Sequence, residues 1–256
     1  MASLNLTADE VLVEILAPER LVGVTAFADQ QGTSNIVGRV PAGVARFPKA
    51  DLERLISVRP DLVVVSEYTD ADFQRLLEKS GLKVHRMQGL SSLPGIRAAI
   101  VDLGRAVGEE EKARALAAAY DARLADLARR LQGAPRPRVL YWASSVTAGR
   151  DTAIGALIEG AGARNVGAEL GLAGIAPIGA ERAYVADPDY FLVAEGWKSA
   201  EALRAHPLLS QCRAVKEGHI LQIPTEKLVA LSHHAAEAVW VLAGALHPDR
   251  VPQGSR

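Results

Sequence analysis

The segment LERLISVRPDLVVVSEYTD, Leu52 to Asp70, and the segment AERAYVADPDYFLVAEGWK, Ala180 to Lys198, follow one plan. Each opens as an amphipathic helical stretch, breaks at Pro-Asp, and continues as a short run of β-formers closed by Glu67 or Glu195. A proline has no amide hydrogen for a helix and pushes its predecessor out of helical geometry, so Pro60 and Pro188 end the helices. The runs after them, LVVVS and YFLVA, read as buried strands. Two copies in 256 residues predict two lobes of like construction.

The neighbours of the copies match as well. Before the first lies LVGVT, and after it DFQRLLEKSGLKVHRMQ, a helix and then a strand from near Lys83. Before the second lies PRVLYWA, and after it AEALRAHPLLSQCRAVKEGHILQI, again a helix and then a strand from near His219. Strands alternating with helices at this spacing specify βαβ units and parallel sheets. Between the copies runs EEEKARALAAAYDARLADLARRLQ, Glu109 to Gln132, acidic at its start and basic at its end as a helix dipole favours. As a helix of about 24 residues it would extend roughly 36 Å, enough to join two lobes. The expected architecture is therefore α/β, two Rossmann-like lobes joined by a single long helix. Its parts are an N-terminal lobe over 1–93, a linking helical segment over 94–134 and a C-terminal lobe over 135–256.

Composition narrows the function. Lysine and arginine total 29 against 30 acids, without a basic stripe, which argues against a nucleic-acid or membrane-surface partner. Cys212 is the single cysteine, so an intrachain disulfide and a cysteine metal cluster are both excluded. No Walker loop, no Gly-x-Ser-x-Gly and no His-Glu-x-x-His is present, and the glycine-rich run Glu159 to Gly167 follows a helical stretch rather than a strand. These absences argue against an enzyme.

The pieces LNLTADEVLVEI, ERLVGVTAFAD, LERLISVRPDLVVVSE, GRDTAIGALIEGAGARNVGAE, DPDYFLVAE and CRAVKEGHILQI, in this order with the linking helix, resemble the substrate-binding proteins of ABC importers for metal chelates. That family serves ferric siderophores, haem and cobalamin. The resemblance implies that strand-end loops of both lobes line a shared cleft, that a permease and its ATPase are the partners, and that the protein is a monomer. It also implies a periplasmic or membrane-anchored extracellular location. The strand preceding SLNL in such proteins is short here, which the resemblance associates with an export signal removed upstream. A stiff linking helix implies small lobe motion on binding.

The resemblance is closest to periplasmic cobalamin binders, which carry Tyr-x-Asp after the first strand and an aromatic before the Leu-Glu-Arg helix. This chain has Phe27-Ala28-Asp29 and Phe47 at those places, and aromatic walls suit a flat macrocycle. Phe47 stands where haem binders use a tyrosine ligand, which lowers haem, although Tyr68, Tyr141 or a histidine offers a substitute. The second-lobe loop Ile223-Pro-Thr-Glu-Lys lacks the tryptophan expected of cobalamin binders, leaving Trp142 and Trp197 at other strand ends. Arg46, Arg150 and Arg182 lie in or beside candidate loops and suit anionic siderophore oxygens. The expected ligand is a corrinoid first, a ferric siderophore second and haem third, carried as cargo, with no resident metal or cofactor.

Glu53 matches the family glutamate that docks into a permease arginine pocket, and Glu226 is its expected second-lobe partner. His233-His234 are read as flanking the last helix, since adjacent helical residues point about 100° apart and make a poor metal pair. Two rival readings remain: a chelatase-like cytosolic enzyme using His85 or His219, and a ligand sensor that does not transport.

Overall fold

The computed structural model describes residues 1–196 and 198–252. The chain forms two compact units. The first gathers Met1–Leu90, Pro94–Asp121 and Ala230–His234; the second gathers Ser91–Leu93, Ala122–Val229 and the chain from Ala235 onward.

The first unit holds five parallel strands, β1 (Ala2–Ser3), β2 (Gly23–Thr25), β3 (Ala45–Phe47), β4 (Val63–Ser66) and β5 (Val84–Met87), in the order β3-β2-β1-β4-β5. A parallel sheet covered on both faces needs apolar side chains on both, and β4, Val-Val-Val-Ser, is buried at every position. One face packs Ala2, Phe47, Leu55, Val63, Val65 and Leu77 together. Gly23 is required there: a Cβ on it would meet the Phe47 ring at 2.3 Å.

The second unit holds β6 (Arg138–Tyr141), β7 (Val146–Ala148), β8 (Arg164–Asn165), β9 (Ile175–Pro177), β10 (Tyr190–Ala194) and β11 (Ile220–Ile223). Its parallel sheet runs β11-β10-β6-β8, and β7 and β9 form a separate antiparallel pair. Its core centres on Leu140, Phe191, Val193, Leu203 and Leu209.

Both repeats form as read. Helix Leu52–Ser57 precedes Pro60-Asp61 and β4, and helix Ala180–Ala186 precedes Pro188-Asp189 and β10. Within the glycine-rich run, residues 161–163 form the turn between helix Ala153–Gly160 and β8.

The helix read at Glu109–Gln132 forms as Glu110–Arg130, and a second helix, Leu93–Ala106, precedes it in the linking segment; between them Gly108 has a φ of +74°, in the left-handed region that glycine adopts freely. The long helix also carries the chain from the first unit into the second at Asp121–Ala122, but it is not the only passage. Residues 230–234, expected in the C-terminal lobe, belong to the first unit. The fully buried Ser232 donates its hydroxyl to Glu10 Oε2 on helix Leu6–Ile15, a bond between groups 222 positions apart that no local pattern announces.

Candidate functional site

In open parallel sheets, ligands bind beyond the carboxyl ends of the strands where the strand order reverses. In the first unit that point falls between β1 and β4, and in the second between β6 and β10. The loops that leave it are Glu67 to Asp70 after β4, Trp142 to Ser145 after β6, and the segment after Ala194.

Phe27 and Tyr68 are the exposed aromatics of the first unit's strand ends, 51 % and 62 % accessible. Phe27 sits in the 3-10 turn Ala26–Asp29 directly after β2, and Tyr68 in the turn after β4. Next to Tyr68 in the chain, the Glu67 carboxylate accepts the Leu90 amide at 2.7 Å and ties this turn to the segment after β5.

Asp29 is held by Arg46. The guanidinium donates Nε to Asp29 Oδ2 at 2.7 Å and NH2 to Oδ1 at 3.3 Å. It also donates to the carbonyls of Val44 at 2.6 Å and of Val40 and Pro41, both at 3.1 Å. An arginine has five N–H donors, and these contacts engage all of them. Arg46 thus shapes the loop 40–44 and orients Asp29.

Two expected aromatics stand differently. Phe47 is 2 % exposed, because successive strand residues point to opposite sheet faces and its turn inward accompanies Arg46's turn outward. Trp142 is 5 % exposed in the second unit's core, edge-on to Phe191 with ring centroids 6.4 Å apart. Both placements correct the expectation of ligand-facing walls at these positions. Trp197 lies outside the described residues.

Arg150 is exposed with no side-chain hydrogen bond among the described residues, while its backbone is clamped: its amide donates to Leu172 O and its carbonyl accepts from Gly174, each at 2.8 Å. Arg182 donates to Leu170 O at 2.7 Å. In the loop after β6, Ser144 and Ser145 have φ of +48° and +73°. Non-glycine residues in that region are strained, and such strain concentrates in ligand-contacting turns.

Glu53 is exposed on helix Leu52–Ser57, which follows edge strand β3, and Asp51 caps the helix by accepting the Arg54 amide. Glu226 is half-buried on helix Thr225–Leu228, which follows edge strand β11. Each acid thus lies on a helix that follows an edge strand of its own sheet.

One acid near the first unit's strand ends is not signalled by any motif. Asp9, fully buried on helix Leu6–Ile15, accepts the Thr25 amide at 3.0 Å and the Thr25 hydroxyl at 2.6 Å, fixing the end of β2 and the start of the Phe27 turn. Burial pushes its pKa up to about 7, against the opposing pull of the Thr25 and Ser3 hydrogen bonds. The available signal is an acid among the helix's apolar positions.

A groove of about 730 Å³ opens beside β5, with His85, Arg86, Arg97, Arg105 and Arg114 on its walls. Three of its arginines already have acids, Arg97 meeting Asp121 at 2.8 Å and Arg105 and Arg114 meeting Glu110 at 3.3 and 2.6 Å, while Arg86 donates to the Glu67 carbonyl at 3.2 Å. The groove is a salt-bridged surface, not a prepared anion receptor.

The chain is thus two α/β units, each built on a parallel sheet with loops leaving its strand ends. Residues 1–226 match the periplasmic binding protein family, and the chain belongs to it. A curated relative, the cobalamin-binding protein of Halobacterium salinarum, is 25 % identical over 96 % of this chain and 69 % of its own length. Among solved structures, the haem-binding RhuT of Roseiflexus sp. RS-1 in apo form superposes with a TM-score of 0.79, at 24 % identity over 96 % of this chain and 97 % of its own. Helicobacter pylori CeuE, as its Ni-His complex, gives 0.84 at 19 % identity over 99 % and 84 %. The family and these neighbours are solute-binding proteins rather than enzymes. Among the described residues, no helix is long and apolar enough to cross a membrane.

Proposed function

We propose that this chain is the extracytoplasmic receptor of an ABC importer for a metal chelate, that its preferred cargo is a corrinoid, and that it hands the cargo to a permease driven by an ATPase. The observation that carries this reading is the pair of exposed aromatics, Phe27 and Tyr68, at strand ends of one unit in a member of a solute-receptor family. Large aromatic faces left open to water lose little conformational freedom on meeting a flat ligand. The match of nearly the whole chain to a cobalamin-binding relative supports the corrin ring as that ligand.

In this reading Phe27 and Tyr68 supply apolar contact, Asp29 accepts hydrogen bonds from the ligand's amide rim, and Arg46 keeps Asp29 in place. In the second unit, Arg150 and the Ser144-Ser145 turn are candidate ligand contacts at that unit's own strand ends, with Trp197 assigned from sequence alone. Glu53 and Glu226 are the acids that engage the permease. A second reading, haem, is favoured by one feature: the Tyr68 side chain is open enough to offer its phenol oxygen to iron.

Calorimetric titration of the purified chain with cyanocobalamin, haemin and a ferric hydroxamate tests the assignment. Saturable one-to-one binding of cyanocobalamin at micromolar or lower Kd is expected. Covering about 60 Å² of Phe27 at ~25 cal/mol per Å² contributes roughly 1.5 kcal/mol, so Phe27→Ala weakens binding about 10-fold. Binding of haemin alone, lost in Tyr68→Phe, moves the assignment to haem. Absence of binding to all three sinks the receptor reading for this ligand class.

A further inference from the structure

On helix Leu6–Ile15, one turn beyond Glu10, Glu14 meets the turn that precedes the last helix. There His233 Nε2 lies 3.6 Å from Glu14 Oε1, and the His233 and His234 rings sit 4.0 Å apart at 39°. One candidate ligand atom from each of the three side chains falls within 4.8 Å of the others. The expectation that adjacent histidines diverge by about 100° holds only on a helix. Residues 231–234 are instead a turn, in which the His234 amide donates to Ser232 Oγ at 3.3 Å, and that turn folds the two rings together. Ser232 in turn donates to Glu10, which fixes the turn against the same helix that carries Glu14.

We infer that Glu14, His233 and His234 form a binding site for a single divalent ion of the Zn²⁺ type, separate from the strand-end loops assigned to the cargo. Two imidazoles and a carboxylate are a ligand set suited to zinc, and three protein ligands leave one coordination position open. With bonds of about 2.0–2.1 Å, tetrahedral ligand atoms stand roughly 3.3–3.4 Å apart. The Glu14–His233 pair is already near that spacing, and modest ring rotation closes the widest one. The site is reachable from solvent, with side-chain exposures of 13 % at His233 and 27 % at Glu14. Arg39 donates to Glu14 Oε1 and orients the carboxylate, as an outer partner of a metal ligand does, and that oxygen's second lone pair stays available to the ion. A bound ion would pin the turn 231–234 to helix Leu6–Ile15.

The inference goes beyond the cargo reading and is tested without any chelate. The untagged full chain, stripped with a chelator and dialysed, is titrated with ZnCl₂ against a chromophoric competitor, and Co²⁺ is added in parallel for its visible absorption. One ion per chain is expected, with four-coordinate Co²⁺ bands. His233→Gln and His234→Gln are each expected to weaken Zn²⁺ binding about 100-fold, at the top of the 10–100-fold range seen when only an outer partner is lost. His206→Gln, at a histidine elsewhere in the chain, leaves affinity unchanged. Zn²⁺ bound no tighter than millimolar, or equally by wild type and the His233→Gln/His234→Gln double variant, overturns the site. If the variants fail to fold by circular dichroism, the wild-type cobalt spectrum decides, since the pale bands of hexa-aquo Co²⁺ overturn it as well. Failure of cobalamin binding leaves this result untouched.

Discussion

Substituting Asp9 by asparagine tests whether a buried carboxylic acid sets the pH dependence of this fold. Asp9 is fully buried, and its pKa stands at about 7 against 3.8 for an ordinary aspartate, desolvation being the main cause. The unfolded chain therefore releases this proton well before the folded chain does. Between the two values the folded state binds one proton more, so stability falls as pH rises, by about 1.4 kcal/mol per pH unit. The contribution is fully present below pH 3.8 and lost above about 7, a total of about 4 kcal/mol from the two pKa values.

Asparagine keeps an oxygen for the Thr25 amide and hydroxyl but has no proton to titrate. Urea unfolding of both proteins from pH 5 to pH 8.5, with equal m-values as the check on two-state behaviour, isolates the term as a difference. Over pH 5 to 7 the variant is expected to gain roughly 2 to 3 kcal/mol on the wild type, with no further change above pH 8. Other ionised groups, among them Asp189, act oppositely but equally in both proteins and cancel. Two parallel stability profiles would refute the reasoning, because Asp9 would then be titrating as it does in the unfolded chain.

Three further outcomes follow from the packing. Gly23→Ala forces the Phe47 ring from a 2.3 Å contact and is expected to destabilise by about 1–3 kcal/mol in urea unfolding, with Gly23→Ala/Phe47→Leu recovering part of the loss. Arg46→Lys keeps the charge but replaces a five-donor fork with a single ammonium; it is expected to cost about 1–2 kcal/mol and to weaken cobalamin binding through a mobile Asp29, both read by calorimetry. Trp240→Phe removes the indole donor to Arg123 O at 2.9 Å and is expected to lower stability by about 1 kcal/mol in the same urea assay.

The duplicated Pro-Asp unit and the flanking helix-strand pairs were legible because they depend on local physics. Proline stops a helix wherever it falls, and Val-Val-Val or Phe-Leu-Val forms a strand in any buried parallel sheet, so β4 and β10 lie where the sequence places them. Phe27 and Tyr68 were legible as strand-end aromatics for the same reason, since the end of a strand is itself a local feature.

Phe47 and Trp142 were not legible in this way. Whether a strand-end aromatic faces water or core depends on the face its position takes and on what the opposite chain leaves open, and Gly23 leaves a space that the Phe47 ring fills. The bond from Ser232 to Glu10 and the meeting of Glu14 with His233 and His234 join parts of the chain more than 200 positions apart. Sequence periodicity carries information over one or two turns of helix, so it set the elements and their order. Tertiary packing alone decided which side chains are buried, which acid keeps its proton near neutrality, and which histidines come together, because each depends on neighbours brought near only when the chain is folded.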